Sequence, residues 1–434
     1  MGMRRIIHGM LIAASLAAAV VGSFAGVPEA AGSWASTGSM AERRHHHTAT
    51  LLEDGRVLVA GGSPQHIQYE TTEIFDLGTG TFSPAGVLNG PRKLSAAVGL
   101  ADGRVLIVGG EMGGVPDLTV SDAEIYDPVV DAWTRTGPMN ERRDFPRGVR
   151  LSDGRVLVAG SSDSLTSEIF DPVTGEWTPT GSMNTKRDGC TLTLLEDGRV
   201  LAAAGVDIGE FDAEVLDSAE IYDPAAGTWT MTGSLADPRC QHAAVRLEDG
   251  RVLVAGGTEE DTVVYDSAEI YDPAAGEWIT TTPMLYPHWT LDMVLLPDGD
   301  VLVVGGAGYN FWFANTQLFH PATETWSEAG EMVERREYPV LTLLQDGRVL
   351  VTGGMGGVSA LVLDTAEIWT PSGPPPGDCN GDGQISIGEV QRAVNMFLGE
   401  EPVDCGVDCD QNGAASLGEV QKVINGFLGG EVSC

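Results

Sequence analysis

The chain has 434 residues and carries 62 Asp and Glu against 25 Lys and Arg, a formal net charge of −37. That length supports a sizeable core and more than one domain. The acidic balance argues against nucleic acid as a partner, because phosphates demand a basic surface, and it favours solubility and cation binding.

Residues 1–31 have the pattern of an export signal. Arg4 and Arg5 precede an apolar run at residues 6–21, and small residues follow at positions suited to signal cleavage. The run is short for a membrane span and no second run follows it. We therefore expect a mature chain that is secreted or held at the cell surface, with the periplasm as an alternative, in an oxidising compartment.

A repeated unit occupies residues 32–371. The phrase Asp-Gly-Arg-Val-Leu, or one variant of it, recurs with its first residue at Asp54, Asp102, Asp153, Asp197, Asp249, Asp298 and Asp346. Asp-Gly favours a two-residue hairpin turn. Each unit places an apolar strand before this turn and three further segments after it. A period of this length predicts a propeller built from four-stranded blades.

Three features of the unit go together. A Gly-Gly pair closes the second strand, an aromatic residue lies in the third, and a spaced aromatic lies in the fourth. The fourth-strand aromatics are Phe82, Trp133, Trp177, Trp229, Trp278 and Trp326. Together, the three features resemble kelch repeats of the superfamily that includes the central domain of galactose oxidase. The resemblance implies an all-β, seven-bladed kelch propeller.

The ends of the repeat region complement each other. The seventh unit lacks its Trp strand, whereas the start of the mature chain has an orphan Trp34. We predict that residues 34–37 pair with the strand containing Glu367 and Trp369. This pairing closes the ring and removes free sheet edges.

Two charged positions recur and are interpreted as scaffold pairs within each blade. The first holds Arg44, Arg92, Arg143, Arg187, Arg239, His288 and Arg336. The second holds Glu73, Glu124, Glu168, Glu220, Glu269, Gln317 and Glu367. Unit six alone loses both charges, and Asp300 replaces its turn Arg.

Unit six also gains aromatic residues on the two connections that leave a four-stranded blade at the same face. The candidate ligand-binding residues are Tyr286, His288, Trp289, Tyr309, Asn310 and Trp312, with Phe311 and Phe313 beside them. Exposed aromatics suit stacking on sugar rings or anchoring of peptides. A blade-specific core or a dimer contact is the alternative.

Two other groups are interpreted as structural. In His45–His46–His47, only the first and third side chains share a strand face, which is a weak metal signal. Cys190 and Cys240 are placed in the first strands of adjacent blades, as buried free thiols or as a cross-blade disulfide.

A Pro-rich linker at residues 372–377 leads to a module at residues 378–434 with two calcium loops. Positions 1, 3, 5, 7, 9 and 12 of such a loop supply oxygen ligands to Ca²⁺. The first loop offers Asp378, Asn380, Asp382, Gln384, Ser386 and Glu389. The second offers Asp408, Asp410, Asn412, Ala414, Ser416 and Glu419. We expect two bound calcium ions.

Each loop leads into one short amphipathic helix, and this duplicated arrangement resembles the dockerin module. The resemblance implies calcium-dependent docking onto a cohesin-type partner. Glu at loop position 12, where many dockerins carry Asp, departs from the family pattern. Four cysteines lie in the module and allow three pairings; Cys379–Cys434 with Cys405–Cys409 is the favoured one.

These observations predict a secreted, calcium-binding kelch propeller that is not an enzyme. One face would bind a carbohydrate or a protein, and the tail would dock to a cohesin-type or cell-surface partner. The alternative is an extracellular carbohydrate-active enzyme that resembles either the copper radical oxidases or the sialic acid mutarotases. No nucleophile–base motif or phosphate loop is present in the sequence.

Overall fold

A computed structural model describes residues 31–372, apart from 65–66, 114–117, 210–211, 260–262, 309–311 and 357–360. The predicted signal, the linker beyond Ser372, and the calcium module with its helices and cysteines lie outside the described residues. The segment Ala31–Pro371 is one compact unit. In the described residues, no helix is long and apolar enough to cross a membrane.

The described residues form short β-strands and no helix. In chain order the strands are β1 (Gly32–Ser36), β2 (Thr48–Leu51), β3 (Val57–Ala60), β4 (Thr72–Asp76), β5 (Thr81–Pro84), β6 (Ala96–Gly99), β7 (Val105–Val108), β8 (Glu111–Met112), β9 (Leu118–Thr119), β10 (Ala123–Asp127), β11 (Ala132–Arg135), β12 (Arg147–Arg150), β13 (Val156–Ala159), β14 (Ser167–Asp171), β15 (Glu176–Thr180), β16 (Thr191–Leu194), β17 (Val200–Ala203), β18 (Val206–Ile208), β19 (Ala213–Val215), β20 (Ala219–Asp223), β21 (Thr228–Met231), β22 (Ala243–Arg246), β23 (Val252–Ala255), β24 (Thr258–Glu259), β25 (Val263–Val264), β26 (Ala268–Asp272), β27 (Glu277–Thr280), β28 (Asp292–Leu295), β29 (Val301–Val304), β30 (Asn315–His320), β31 (Thr325–Glu331), β32 (Arg336–Glu337), β33 (Val340–Leu343), β34 (Val349–Thr352), β35 (Met355–Gly356), β36 (Leu361–Val362) and β37 (Ala366–Pro371).

Seven four-stranded antiparallel sheets are present in the described part of the chain, one for each repeat. In chain order of the repeats they are β2-β3-β4-β5, β6-β7-β10-β11, β12-β13-β14-β15, β16-β17-β20-β21, β22-β23-β26-β27, β28-β29-β30-β31 and β33-β34-β37-β1. The first strand of each blade contacts the first strands of the blades before and after it, and β33 contacts β2. The sheets therefore close into a ring around a central channel, as the repeat predicts.

The seventh blade is completed by the start of the described chain, as predicted. β1 pairs antiparallel with β37, and Trp34 lies opposite Trp369. The Trp34 indole donates to Thr316 Oγ1 at 3.0 Å in blade six, and the Trp369 indole donates to the carbonyl of Ala329 at 2.9 Å. The closing strand β1 therefore completes blade seven, and the two indoles tie blade seven to blade six.

The core lies between neighbouring blades rather than inside each sheet. Seven apolar clusters are each built from two adjacent blades, and the cluster around Val57, Phe75 and Leu350 joins blade one to blade seven. In blades one to six the fourth-strand aromatic packs on the third-strand aromatic of its own blade, as Trp133 does on Tyr126 at 5.2 Å between ring centroids. Each blade thus depends on its neighbours to bury its faces.

The Gly-Gly pair is explained by a close approach between blades. In blade one, Gly61 and Gly62 have φ angles of +66° and +86°. A Cβ on Gly61 would lie 2.5 Å from the carbonyl oxygen of Arg92, which is on the connection into blade two. The amide of Gly62 donates to that same carbonyl at 2.8 Å. Only a residue without a side chain fits there at low cost.

Candidate functional site

Two sets of connections meet on one face of the ring, which we call the connection face. The connection that enters each blade is bridged to the connection between its second and third strands. The bridges are His45 to Ser63, Lys93 to Glu111, Asp188 to Val206, Cys240 to Thr258, Trp289 to Ala307, and β32 to β35. In blade three, the carboxylate of Asp144 performs this role by accepting from the hydroxyls of Ser161 and Ser162.

A buried ion pair anchors these connections in six blades. In blade five, the Arg239 guanidinium donates to Glu269 at 2.9 Å, to the carbonyl of Gly256 at 3.0 Å and to the Ser267 hydroxyl at 3.0 Å. Glu269 also accepts from the amide of Ala236 at 2.8 Å. The equivalent pairs are Arg44–Glu73 (3.0 Å), Arg92–Glu124 (2.7 Å), Arg143–Glu168 (3.4 Å), Arg187–Glu220 (3.1 Å) and Arg336–Glu367 (2.8 Å). The predicted scaffold pairs are confirmed.

Blade six has a neutral version of the same anchor. His288 Nδ1 lies 2.5 Å from the carbonyl oxygen of Gly305, where the other blades place an arginine N–H. Gln317 Oε1 accepts from the amide of Leu285 at 2.7 Å, as the glutamates accept elsewhere. Phe313 stacks on the His288 ring at 4.4 Å. His288 is only 1% exposed, so it lies behind the surface that a ligand would touch.

The turn of blade six shows a second exchange of charge. Asp300 replaces the usual turn arginine, and its Oδ2 lies 2.7 Å from Nδ1 of His320. His320 occupies the place at the end of the third strand where blades one to five have Asp. The two changes compensate each other, because an acidic and a basic side chain still face one another. The hydrogen bond with Asp300 raises the pKa of His320.

Three other predicted site residues of blade six, Tyr286, Trp289 and Trp312, lie at the connection face. Tyr286 is half-buried and donates to Glu328 Oε1 at 2.7 Å, and Trp289 is half-buried beside Ala307. Trp312 is half-buried as well. Tyr309 and Asn310, with Phe311, lie outside the described residues.

A ring of variable residues surrounds the mouth of the channel. Two residues before the first strand of each blade lies one of His46, Leu94, Phe145, Gly189, Gln241, Thr290 and Tyr338. All except Phe145 have a left-handed backbone. The repeat therefore fixes the backbone there, while the side chain differs in every blade. We call these seven positions the mouth ring. The sequence did not predict these seven positions, although an alignment of the repeats shows that they vary.

Four side chains connect blade six to the mouth ring. The Trp312 indole donates to Glu337 Oε2 at 2.8 Å. Tyr338 follows Glu337 directly, and its ring meets that of His46 edge-on at 4.4 Å. All four side chains are half-buried. We call Trp312, Glu337, Tyr338 and His46 the aromatic arc; it runs from blade six across blade seven to blade one.

The histidines near this face are held neutral by burial. Burial lowers the pKa of His45 and His288 to about 4, and that of His46, His47 and His242 to about 3. His47 is hydrogen-bonded to Thr352 at 2.9 Å, across the junction of blades one and seven. The consecutive histidines thus hold the closing blades together.

We expect the buried histidines to make stability fall in acid. A histidine whose folded pKa lies below its unfolded value contributes stability above pH 6.5, and that contribution is lost as pH falls toward the folded value. For His47 the loss is about 1.4 kcal/mol per pH unit over that window. Urea unfolding of the wild type and His47→Gln at pH 5, 6 and 7 measures it, and the variant should lose less stability between pH 7 and 5.

His320→Gln is the control for that experiment. Its folded pKa is raised, so its contribution is present below pH 6.5 and is lost as pH rises through the folded value. The two substitutions should therefore change the pH dependence in opposite directions. Equal slopes for His47→Gln and the wild type would contradict a neutral buried His47.

Cys190 and Cys240 are buried thiols that form no disulfide within the described residues, which decides between the two alternatives left open by the sequence. Their placement in first strands was wrong. Cys190 lies immediately before β16, and Cys240 lies three residues before β22, because Gly189 and Gln241 adopt left-handed φ angles of 63° and 53° that interrupt the strands.

No curated protein matches this chain. A family model described as "Kelch motif" matches residues 92–140. The fold is similar to a solved structure titled "Novel fungal alcohol oxidase with catalytic diversity among the AA5 family, in complex with copper". The TM-score is 0.67 at 20% identity, over 81% of this chain and 78% of that one.

That oxidase is in complex with copper, which raises the question of whether this chain can hold a metal ion. Within the described ranges, no group of three or more His, Cys, Asp or Glu side chains is placed to hold a metal ion. The two thiols are buried, and burial raises the pKa of Cys190 to about 11. The residues in the described part of the chain therefore do not fit a copper centre. The chain carries a kelch motif and has the fold of a kelch propeller similar to this oxidase.

Proposed function

We propose that this protein is an exported, non-catalytic binding propeller that captures a carbohydrate or a protein on its connection face. The observation that carries the proposal is the aromatic arc, where half-buried Trp312 is linked through Glu337 to Tyr338 and His46 of the mouth ring. Repeated residues serve the blades, whereas side chains that differ from blade to blade are free to serve a ligand. Aromatic faces beside hydrogen-bonding groups suit both sugars and peptides.

The C-terminal module is proposed to bind two calcium ions and to attach the propeller to a cohesin-type or cell-surface partner. Support comes from the two loop sequences, each with oxygen-bearing residues at the spacing that Ca²⁺ uses. A secreted or surface location agrees with the export-like residues 1–31. Capture of cohesin-type partners by the full-length protein, with and without Ca²⁺, tests the docking role.

Replacing Trp312 tests the binding face. Loss of a central aromatic costs about 2 kcal/mol or more at a binding hot spot. Trp312→Ala should therefore weaken ligand binding tens-fold, while the melting temperature stays nearly unchanged. A glycan array, a pull-down of protein partners and differential scanning calorimetry provide the readouts.

Val173→Ala is the matched control, since Val173 is 92% exposed on a turn between third and fourth strands, at the opposite face. It should leave both readouts unchanged. If Trp312→Ala mainly lowers the melting temperature, the aromatic cluster is core. If neither binding nor melting responds to Trp312→Ala, the ligand uses another blade.

Calcium titration tests the module. Calorimetry on the full-length protein should show two sites, with the first loop tighter because Asp382 provides a charge where the second loop has neutral Asn412. Asp382→Ala should weaken calcium binding at one site. Removal of calcium by a chelator should leave the melting temperature of the propeller unchanged. A calcium titration that shows no binding, or one that Asp382→Ala leaves unchanged, would refute the assignment.

A further inference from the structure

The first residues of the seven innermost strands define one level of the channel, just below the mouth ring. They are Thr48, Ala96, Arg147, Thr191, Ala243, Asp292 and Val340. Arg147 and Asp292 are the two charged members of this described set. They belong to blades three and six, on opposite sides of the ring. The carboxylate of Asp292 is satisfied by the amides of Met293 and Leu341, each at 2.9 Å.

Arg147 is held in place but its hydrogen-bonding capacity is not used up. Its Nε donates to the carbonyl of Cys190 at 2.8 Å, and its guanidinium carbon lies 4.1 Å from the centroid of the Phe145 ring. Among the described residues, its terminal N–H groups have no hydrogen-bond partner and no carboxylate within 4.0 Å. The side chain is half-buried. A fixed guanidinium with an open fork is a ready-made hydrogen-bond donor.

Asp188 is the complementary group. Its Oδ1 is buried and has no hydrogen-bond partner in the described part of the chain. Burial, and then the charge of Asp144, raises the pKa of Asp188 to about 6, whereas Arg147 opposes this. Arg147 and Asp188 are thus near neighbours that do not form an ion pair. Asp188 accepts a hydrogen bond from the Gly189 amide, so one of its oxygens stays unpartnered, and the terminal N–H groups of Arg147 stay open. Both groups therefore keep hydrogen-bonding capacity for a bound molecule.

We propose that this mouth binds the terminal residue of a neutral glycan, with one sugar hydroxyl accepting from Arg147 and a neighbouring hydroxyl donating to Asp188. The proposal rests on the proposed function and names its ligand class. A vicinal diol provides an acceptor and a donor on adjacent carbons, which is the pairing that suits an open guanidinium beside a carboxylate with one unpartnered oxygen. The aromatic arc lies on the same face and offers ring surfaces for the rest of the glycan.

The local charges select a neutral sugar over an acidic one. The charges of Asp188 and Asp292 act on Arg147, and those of Asp144 and Glu111 act on Asp188. Lys93 is already paired with Glu111 at 3.1 Å. An anionic sugar would gain one guanidinium but meet several carboxylates, in a protein with a net charge of −37.

Full-length protein on arrays of neutral, uronic-acid and amino-sugar glycans tests the proposal, followed by calorimetry with the best binders. Neutral glycans should bind best. Arg147→Met should weaken their binding at least 30-fold, and Arg147→Lys and Asp188→Asn about tenfold each. Arg150→Met is the matched control, because Arg150 is exposed three residues along the same strand; it should change affinity less than twofold. Melting temperatures show whether each variant is folded.

The outcomes separate this proposal from the proposed function. Preference for acidic or amino sugars, or unchanged affinity in folded Arg147→Met, overturns the Arg147–Asp188 site. If neutral glycans still bind Arg147→Met but not Trp312→Ala, the binding face stands and this site does not. Capture of a protein with no glycan bound also overturns this site alone. Failure to bind either class overturns both.

Discussion

Deleting residues 32–40 should unfold the propeller at temperatures where the intact protein is stable. The deletion removes β1, so blade seven is left with three strands and an exposed edge. It also removes Trp34 and Met40, which are 9% and 3% exposed. Loss of one buried Trp side chain alone costs about 3–5 kcal/mol. Calorimetry and near-ultraviolet circular dichroism should show a lower melting temperature for the whole ring.

A synthetic peptide with the sequence of residues 31–41 should partly restore the shortened protein, because it can occupy the vacated edge. The same peptide with Trp34→Ala should not, since Trp34 faces Trp369 and donates to Thr316. An unchanged melting temperature after the deletion would contradict the closure of the ring by this strand. Restoration by both peptides would show that backbone pairing suffices without the Trp34 contacts.

Arg239→Met should lower the free energy of unfolding by about 3–5 kcal/mol, because it leaves a buried carboxylate without its cation. Arg239 and Glu269 have side chains that are 0% and 2% exposed. The substitution also removes the hydrogen bonds to Gly256 and Ser267 that tie the connection to its blade. Urea unfolding at pH 7 measures the change.

Arg348→Met is the matched control, with the same chemical change at an exposed pair. Arg348 lies 2.7 Å from Asp346, and the two side chains are 37% and 41% exposed, so its loss should cost between zero and about 1 kcal/mol. The double variant Arg239→His with Glu269→Gln copies blade six and should recover part of the stability lost in Arg239→Met. Similar costs for Arg239→Met and Arg348→Met would show that the buried pairs are not anchors.

The sequence predicted the ring because its repeats are internally redundant. Seven turn phrases, six of them identical, indicated the blades. The unpaired Trp34 and a seventh unit without a Trp strand indicated the closure. Recurrence of Arg and Glu at fixed positions identified the scaffold pairs, and each pair lies within one blade as expected. These features depend on local spacing, which the chain records directly.

The site was predicted only in part, because exposure and contact across blades do not follow from spacing. The aromatic residues of unit six were recognised, yet His288 is buried as the blade's own anchor. The mouth ring and the role of Arg147 were not predicted. The mouth-ring residues lie in seven different repeats and approach one another only when the ring closes. By itself, the sequence determined the repeat, the strands, the turns and the anchoring pairs, all of which arise from contacts within one unit. The tertiary structure alone decided which variable side chains share the channel mouth, because closure brings together residues that lie hundreds of positions apart.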